Sequence, residues 1–488
     1  MAKYDNNLIV IGGGSAGLIS AYIAATVRAR VTLIEQGAMG GDCLNTGCVP
    51  SKTLIRSARV AHTLRHADDY GMQAVTPEVD FPRVMERVRR AVATIEPKDS
   101  MERYRSLGVD CIAGRARLVD GHHVAVGEQV ISSRRIILAT GAQPLLPPIP
   151  GLAEVEPLTS ENVWELTALP ARLLVLGGGP IGCELAQSFQ RLGSQVTLVD
   201  MEARLLPRED EDVSAHVERV FRAEGVEVRL GHKALRVEAG AGGAGGAEAG
   251  AGAGCLHVEH AESRLALPFD RILVAVGRRP NSSGLGLEEL GIATAANGAV
   301  QVDKYLRTSC PSVFACGDLV GPYQFTHMAS HQAWYAAVNA LFGRFRKYAV
   351  NYDVVPWATF TDPEVGRVGL SEADARSQGK AVEVTVYPLD DLDRAIADGN
   401  TEGWIKVLTE PGGDRILGAT IVGPEAGDLI GEFILAMTHG LGLKKLMSTI
   451  HIYPTRSEAA KLAAGAWRRH NAPQGLLKWV GRLHGLLR

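Results

Sequence analysis

Cys43 and Cys48 stand five residues apart in the run Gly40-Gly41-Asp42-Cys43-Leu44-Asn45-Thr46-Gly47-Cys48-Val49-Pro50-Ser51-Lys52. Two thiols at the start of a predicted helix, with a lysine close by, suit thiol–disulfide exchange. The helix N-terminus and the Lys52 ammonium both favour a thiolate. The spacing is too long for a thioredoxin-type C-x-x-C and wrong for a zinc knuckle. His62 and His66, the closest histidines, lie on the following helix and complete no metal set. Taken alone, the pair could be two ordinary buried cysteines. The flanking glycines, Pro50 and a nucleotide fingerprint just upstream favour the redox reading.

That fingerprint is strand, glycine turn, helix, strand. Residues 7–11 form an apolar strand, and Gly12, Gly14 and Gly17 fill the fixed positions of G-x-G-x-x-G. A helix over 18–28 and a strand over 31–34 follow, ending in Glu35. Glycines there let the backbone approach a pyrophosphate at the helix N-terminus, and the acid can take ribose hydroxyls. The pattern recurs: a strand over 173–176, then Gly177, Gly179 and Gly182, a helix over 184–192, a strand over 196–199, then Asp200. Two such units imply two nucleotides, typically a bound flavin and a diffusing nicotinamide. Asp200 would repel a 2′-phosphate and so favours NADH over NADPH, although Arg204 is close by.

The intervening chain must hold these parts in place. Helices are predicted over 54–66 and 82–106, and a buried strand runs up to Thr140 and Gly141. The Pro/Gly-rich segment 143–151 marks a domain boundary. Residues 239–254, Ala and Gly apart from Glu248, read as a flexible loop between strands. A strand over 272–276 closes at Gly277-Arg278-Arg279-Pro280-Asn281. Another apolar strand stops at Gly317-Asp318, whose carboxylate could hold a sugar-like hydroxyl chain below a helix over 333–342. From residue 352 an α+β domain begins, with antiparallel strands over 382–387, 404–408 and 416–422 and helices over 427–440 and 457–464. The tail puts Leu476, Val480, Leu483 and Leu487 on one helical face. It reads as a helix packed on its own protein, or as one docked on a membrane or partner.

Composition narrows the classes. Charges of 51 and 54 give 51 − 54 = −3 over 488 residues, so nothing suggests a nucleic-acid partner. Seven scattered cysteines make no disulfide framework, and a reducing, cytoplasmic setting follows. Cys111, Cys183, Cys255, Cys310 and Cys316 read as small buried hydrophobes. No apolar run is long enough to span a bilayer. The first strand is needed by the fold, so it reads as structure and not as a cleavable signal.

Residues 8–35, 40–52, 140–151, 177–200, 276–281, 313–318 and 356–370 resemble, in order, the class I pyridine nucleotide–disulfide oxidoreductases, which include dihydrolipoamide dehydrogenase, glutathione reductase and mercuric reductase. The resemblance implies an α/β chain with two Rossmann-like domains and a C-terminal α+β dimerisation domain. Its divisions would be FAD-binding over 1–150 and 281–349, NAD(P)-binding over 151–280, dimerisation over 350–465, and a basic amphipathic tail over 466–488. By matching position, Cys48 would be the thiolate against the flavin and Cys43 the exposed thiol that meets substrate. Lys52 would pair with Glu184. Gly12, Gly14, Gly17, Glu35, Gly41, Lys52, Thr140, Gly141 and Asp318 would serve FAD. Gly177, Gly179, Gly182, Asp200 and Gly277 would serve the nicotinamide nucleotide. The implied activity is a homodimeric, FAD-dependent NAD(P)H:disulfide or dithiol oxidoreductase acting on a small-molecule or lipoyl-protein substrate. A membrane-held quinone reductase and a non-turnover partner of a lipoyl carrier are the alternatives.

Three departures stand out. Asp42 replaces the family's threonine before the first cysteine. Tyr453 stands where most members carry the histidine base, with Pro454 and the orienting Glu458 retained. His451, on the same face of an extended segment but ~7 Å away, reads as a supporting residue. A tyrosine is a poor base at neutral pH but a good hydrogen-bond donor or metal-facing ligand. Mercuric reductases carry a tyrosine near this position, together with a terminal vicinal cysteine pair. This chain has no cysteine after Cys316.

Overall fold

The computed structural model describes residues 4–240 and 252–488. They form two compact units. One takes in the chain up to Leu64, Thr76–Leu205 and Phe221–Asn351, and the other Arg65–Val75, Leu206–Val220 and Tyr352–Arg488.

The first unit contains both glycine turns. Its five-stranded sheet runs in the order Val313–Ala315, Ile136–Leu138, Leu8–Ile11, Val31–Glu35, Asp110–Ala113. All neighbours are parallel, with Leu8 opposite Val31 and Ile9 opposite Ile136. Such strands are covered on both faces, which explains their unbroken apolar runs; Leu8, Ile9 and Val10 are fully buried. The outermost strand, Val313–Ala315, comes from far along the chain, so the first nucleotide unit is completed only after the second has been inserted. That second nucleotide unit, also within the first compact unit, has a parallel sheet of Glu227–Arg229, Gln195–Val199, Arg172–Leu176 and Arg271–Val274. Entry and exit of the insertion run side by side, Ala142–Pro144 pairing antiparallel with Arg278–Pro280.

The second unit has a five-stranded antiparallel sheet, Pro356–Thr359, Glu364–Gly369, Ile416–Gly423, Trp404–Thr409, Glu383–Pro388. Helix Glu458–His470 packs on it through Ala459, Ala460, Ala463, Ala464 and Trp467.

Four elements differ from expectation. The helix predicted over 82–106 breaks into Phe81–Ile95 and Met101–Ser106, because Pro97 removes a backbone donor and Ser100 caps the second piece through the Arg103 amide. The helix after Asp318 starts earlier, at Thr326, and runs to Phe342. The helix expected over 427–440 divides into Ala426–Leu429 and Gly431–Thr438. In the tail, helix Gln474–Leu486 buries no residue, and on its apolar face only Val480 is half-buried. Most of the Ala/Gly loop, residues 241–251, lies outside the described residues; its flanks, Lys233–Ala239 and Gly254–His260, pair as antiparallel strands. No helix among the described residues is long and apolar enough to cross a membrane, and no described cluster of His, Cys, Asp or Glu is arranged to hold a metal.

Candidate active site

The first glycine turn is shaped by what would collide with a side chain. A Cβ on Gly12, where φ is +108°, would lie 2.3 Å from Ala139 O, and one on Gly17 would lie 1.7 Å from Gly12 O. Helix Ser15–Thr26 therefore sits tight on the strand end, and Gly14 begins it without a side-chain cap. Its first amides are left for a ligand. Glu35 braces the turn by accepting from Gly13 N at 2.5 Å and Gly37 N at 2.7 Å. Each carboxylate oxygen keeps a second lone pair for a hydroxyl.

The redox run is laid directly on this turn. Gly40 N donates to Gly13 O at 2.9 Å, and a Cβ on Gly41 would come within 2.6 Å of Gly14 Cα. Asp42 and Cys43 fall in the short helix Gly41–Asn45, and Cys48 opens helix Cys48–Arg65. Between them Gly47 N donates to Asp42 O at 2.6 Å, and the Trp164 indole donates to Thr46 O at 2.8 Å. This folds the two cysteines together, and their thiols share a hydrogen bond. Both are free thiols.

Electrostatics make the two thiols unequal. Cys48 is drawn down to about 6, first by the hydrogen bond from Cys43, then by Thr326 and Lys52, against burial and the charge of Asp42. Cys43 is pushed well up by its bond to Cys48, by burial and by Asp42. In the polypeptide taken alone Cys48 is exposed and Cys43 half-buried, the reverse of the exposures expected from the resemblance. Thiol chemistry, rather than exposure, tells them apart.

Lys52 lies one turn beyond Cys48 on the same helix face. Its Nζ is 2.8 Å from Glu184 Oε2, with side-chain exposures of 35% and 7%. Glu184 belongs to helix Pro180–Leu192 of the second glycine turn, so the expected pair forms. That turn repeats the plan of the first. Gly177 has φ +115°, a Cβ on Gly182 would lie 1.9 Å from Gly177 O, and Gly179 begins the helix without a side-chain cap. Asp200 accepts from Gly178 N, and from Glu202 N at 2.8 Å. Gly277 has φ +142° with open space where a side chain would stand. Thr140 and Gly141 close the first unit's strand end: the Thr140 hydroxyl donates to Asn281 O at 2.8 Å, and Asn281 N to Gly141 O at 2.9 Å.

Two residues of this site escape a reading of the sequence. Thr326 Oγ1 is 3.4 Å from Cys48 Sγ, across a separation of 278 residues; nothing in the local pattern marks it. Arg278 does leave a signal, because Asp42 calls for a cation. Its Nη2 is 2.7 Å from Asp42 Oδ2 and donates to Ala142 O at 2.7 Å. Its Nε lies 3.9 Å from Asp318 Oδ2, is buried, and has no hydrogen-bond partner among the described residues. Burial pushes the Asp318 carboxyl up to about 6, with Arg278 opposing and Asp42 and Cys48 adding to the rise. The glycine cradle, the buried guanidinium donor and the buried carboxyl together fit a dinucleotide, which brings a diphosphate and hydroxyls.

Tyr453, His451 and Glu458 form a separate group in the second unit. The Tyr453 hydroxyl donates to Asp393 Oδ2 at 2.8 Å. That bond, with added repulsion from Asp393 and Glu458, holds the phenol above its usual range. The partner of Tyr453 is thus Asp393, where the sequence pointed to Glu458. His451 Nε2 is 2.9 Å from Glu432 Oε1 and its Nδ1 3.2 Å from Thr449 O. Both ring nitrogens thus lie against oxygen atoms of the second unit itself.

The family model described as "Pyridine nucleotide-disulphide oxidoreductase" matches residues 6–333, and the model of that family's dimerisation domain matches residues 355–464. The chain belongs to this family. A mercuric reductase of Streptomyces lividans is 36% identical over 468 residues, covering 94% of this chain and 95% of that protein. A dihydrolipoyl dehydrogenase of Chlamydia muridarum is 34% identical over 463 residues, covering 92% and 94%. Among solved structures, the HOCl-induced flavoprotein disulfide reductase RclA from Escherichia coli superposes with a TM-score of 0.82 at 30% identity, covering 94% of this chain and 99% of that one. The protein is accordingly a flavoprotein disulfide reductase in type, with Cys43–Cys48 as its redox pair. It binds FAD and a pyridine nucleotide, and its dimerisation domain makes it a homodimer.

Proposed function

We propose that this oxidoreductase takes electrons from NADH and delivers them through Cys43 and Cys48 to a disulfide or a thiophilic metal ion, working in the reductive direction in a cytoplasmic, reducing setting. The observation that carries the reading is the setting of Cys48, which opens helix Cys48–Arg65 beside Cys43, with Thr326 Oγ1 3.4 Å from its sulfur and Lys52 one turn along the helix, a setting that draws its thiol down.

Bound FAD supplies the hydride-accepting and electron-relaying chemistry between the nicotinamide and the cysteines. Glu35 and Asp318 are assigned to its hydroxyls, the Gly12–Gly17 turn with Gly41 to its diphosphate, and the Gly177–Gly182 turn with Asp200 to NADH. Lys52, oriented by Glu184, supplies positive charge beside the Cys48 thiolate. Once the pair is reduced, the Cys43 thiol gives its proton to solvent as its sulfur attacks a sulfur of the acceptor disulfide, forming a mixed disulfide and expelling one thiolate. The Cys48 thiolate then attacks the Cys43 sulfur, re-forming Cys43–Cys48 and expelling the second. Two electrons leave the dithiol, and two thiolates are released to take up protons.

Tyr453 supports the reductive direction. A phenol that donates to Asp393 and is held above its usual range stays protonated at neutral pH, so it cannot take the proton of an incoming dithiol. The experiment is an acceptor panel with NADH: lipoamide, oxidised glutathione, Hg(II), Cu(II) and a quinone, on wild type, Cys48→Ala, Cys43→Ser and Tyr453→His. Wild type reduced by NADH should show a long-wavelength thiolate–flavin band that Cys48→Ala lacks. Tyr453→His should gain dihydrolipoamide oxidation of at least ~10-fold, the smaller end of what a positioned base contributes. Quinone turnover that survives Cys43→Ser, with no such band in wild type, would sink the proposal.

A further inference from the structure

Asp42 stands directly before the first redox cysteine. An uncompensated carboxylate there would face Cys43, Cys48, Asp318 and Glu161, each of which it makes harder to ionise. The structure shows how it is tolerated. Asp42 Oδ1 accepts from Thr46 Oγ1 at 2.5 Å, inside the redox turn, and Oδ2 meets Arg278 Nη2 at 2.7 Å. Arg278 is only 11% exposed, is anchored to Ala142 O, and also lies beside Asp318. One guanidinium thus stands between two carboxylates, and the pair links the redox turn to the strand Arg278–Pro280 where the inserted segment returns.

We infer that Asp42 and Arg278 work as one unit, a carboxylate–guanidinium pair that positions the redox turn and tunes the reactivity of the Cys43–Cys48 dithiol. The inference rests on the reading of that dithiol as the electron relay. Toward the dithiol both are positioning residues acting through the cysteines, besides the fit of the Arg278 guanidinium to a dinucleotide. The groups facing Cys48 are the Cys43 thiol, the Thr326 hydroxyl, Lys52 with its partner Glu184, and Asp42 with Arg278 behind it; Asp318 lies on the far side of Arg278. Within this set Asp42 opposes thiolate formation and Arg278 offsets Asp42. The carboxylate favours the proton on Cys43, the donor to Cys48, and also opposes the Cys48 thiolate, while the guanidinium 2.7 Å from it offsets part of that charge.

The charges predict opposite signs for the two single variants. In reduced holoenzyme, the pH midpoint of the long-wavelength thiolate band and the pH–rate profile of Cys43 alkylation by iodoacetamide are measured alongside melting temperature. Asp42→Asn should lower the band's midpoint by about 0.5–1 unit, roughly a three- to tenfold gain in thiolate at fixed pH on that limb. Arg278→Met should raise it by a similar amount, Arg278→Lys should stay near wild type, and Asp42→Asn combined with Arg278→Met should return most of the way. Midpoints that do not move while melting temperatures fall would reduce the pair to a structural staple and overturn the inference. So would equal shifts for Arg278→Lys and Arg278→Met. Absence of the band in wild type would instead indict the relay reading, so the two failures can be told apart.

Discussion

A thiol that ionises near pH 6 beside one that does not gives the reactive pair a definite pH signature. The Cys48 thiol is depressed, so its thiolate fills as pH rises through about 6 and empties below it. The long-wavelength band should follow that titration. Thr326→Ala removes a hydroxyl that favours the thiolate, and should move the midpoint up by about half a unit, a threefold change in thiolate. Asp318 has the opposite sign. Its carboxyl is raised from 3.8 to about 6, so the folded chain holds a proton that the unfolded chain has lost. Below pH 4 both states are protonated and no penalty exists. Between pH 4 and 6 stability falls, and above 6 the loss is constant at roughly 2–3 kcal/mol. Asp318→Asn should therefore stabilise the flavin-free protein at pH 8 in thermal or denaturant unfolding, while weakening retention of FAD. A variant equally stable at pH 4 and pH 8 relative to wild type would contradict this. At this scale the sequence was readable wherever a motif is local. Cys43, Cys48, Lys52, Glu35 and Asp200 all stand within short, patterned runs. Thr326, Arg278 and Asp393 meet their partners only through the fold, and a single sequence carries no trace of the pairing of Thr326 with Cys48 or of Asp393 with Tyr453.

The elements that carry these residues are set by two turns of the same design, and the design predicts how each fails. A methyl on Gly17 or Gly182 would stand 1.7 or 1.9 Å from a carbonyl oxygen of its own turn. The helix must then lift off the strand, at a cost of about 1–3 kcal/mol or more. Gly182→Ala lies in the inserted segment, so it should keep a normal flavin spectrum and lose at least ~10-fold in NADH-driven reduction. Gly17→Ala should fail to retain FAD at all. Comparison of bound-flavin content with the rate of flavin bleaching by NADH separates the two. Both parallel sheets were legible because continuous apolar runs and glycine turns repeat with the same spacing. Helix ends were less so. Residues 82–106 keep an amphipathic pattern across Pro97, and the pattern cannot report the missing backbone donor that breaks the helix there. The early start at Thr326 adds a stretch where buried Met328 and Ala329 stand among Thr326, His327, Ser330, His331 and Gln332, too few apolar residues for periodicity to mark.

At the level of the whole chain, the family assigns a dimerisation domain to residues 355–464, and the described chain continues past it into a helix that buries no residue. Helix Gln474–Leu486 has no buried residue, and Trp479, Leu486 and Leu487 are 60%, 84% and 74% exposed. The sequence pattern announced an apolar face but could not say whether the chain itself covers it, because amphipathicity reports a preference for burial and not the partner. An element that buries nothing cannot add to the hydrophobic stabilisation of the unit it follows. Removal of residues 473–488 should therefore shift the melting temperature by no more than ~1 °C, with NADH-driven turnover of a soluble acceptor unchanged. The core under helix Glu458–His470, built on Trp467 and Phe433, is complete without those residues. Size-exclusion chromatography of the truncated enzyme makes the test two-sided. A dimer of unchanged retention and melting temperature leaves the helix outside the folded core. A drop of several degrees, or dissociation to monomers, would show that the face is covered in the assembled enzyme and belongs to its stability.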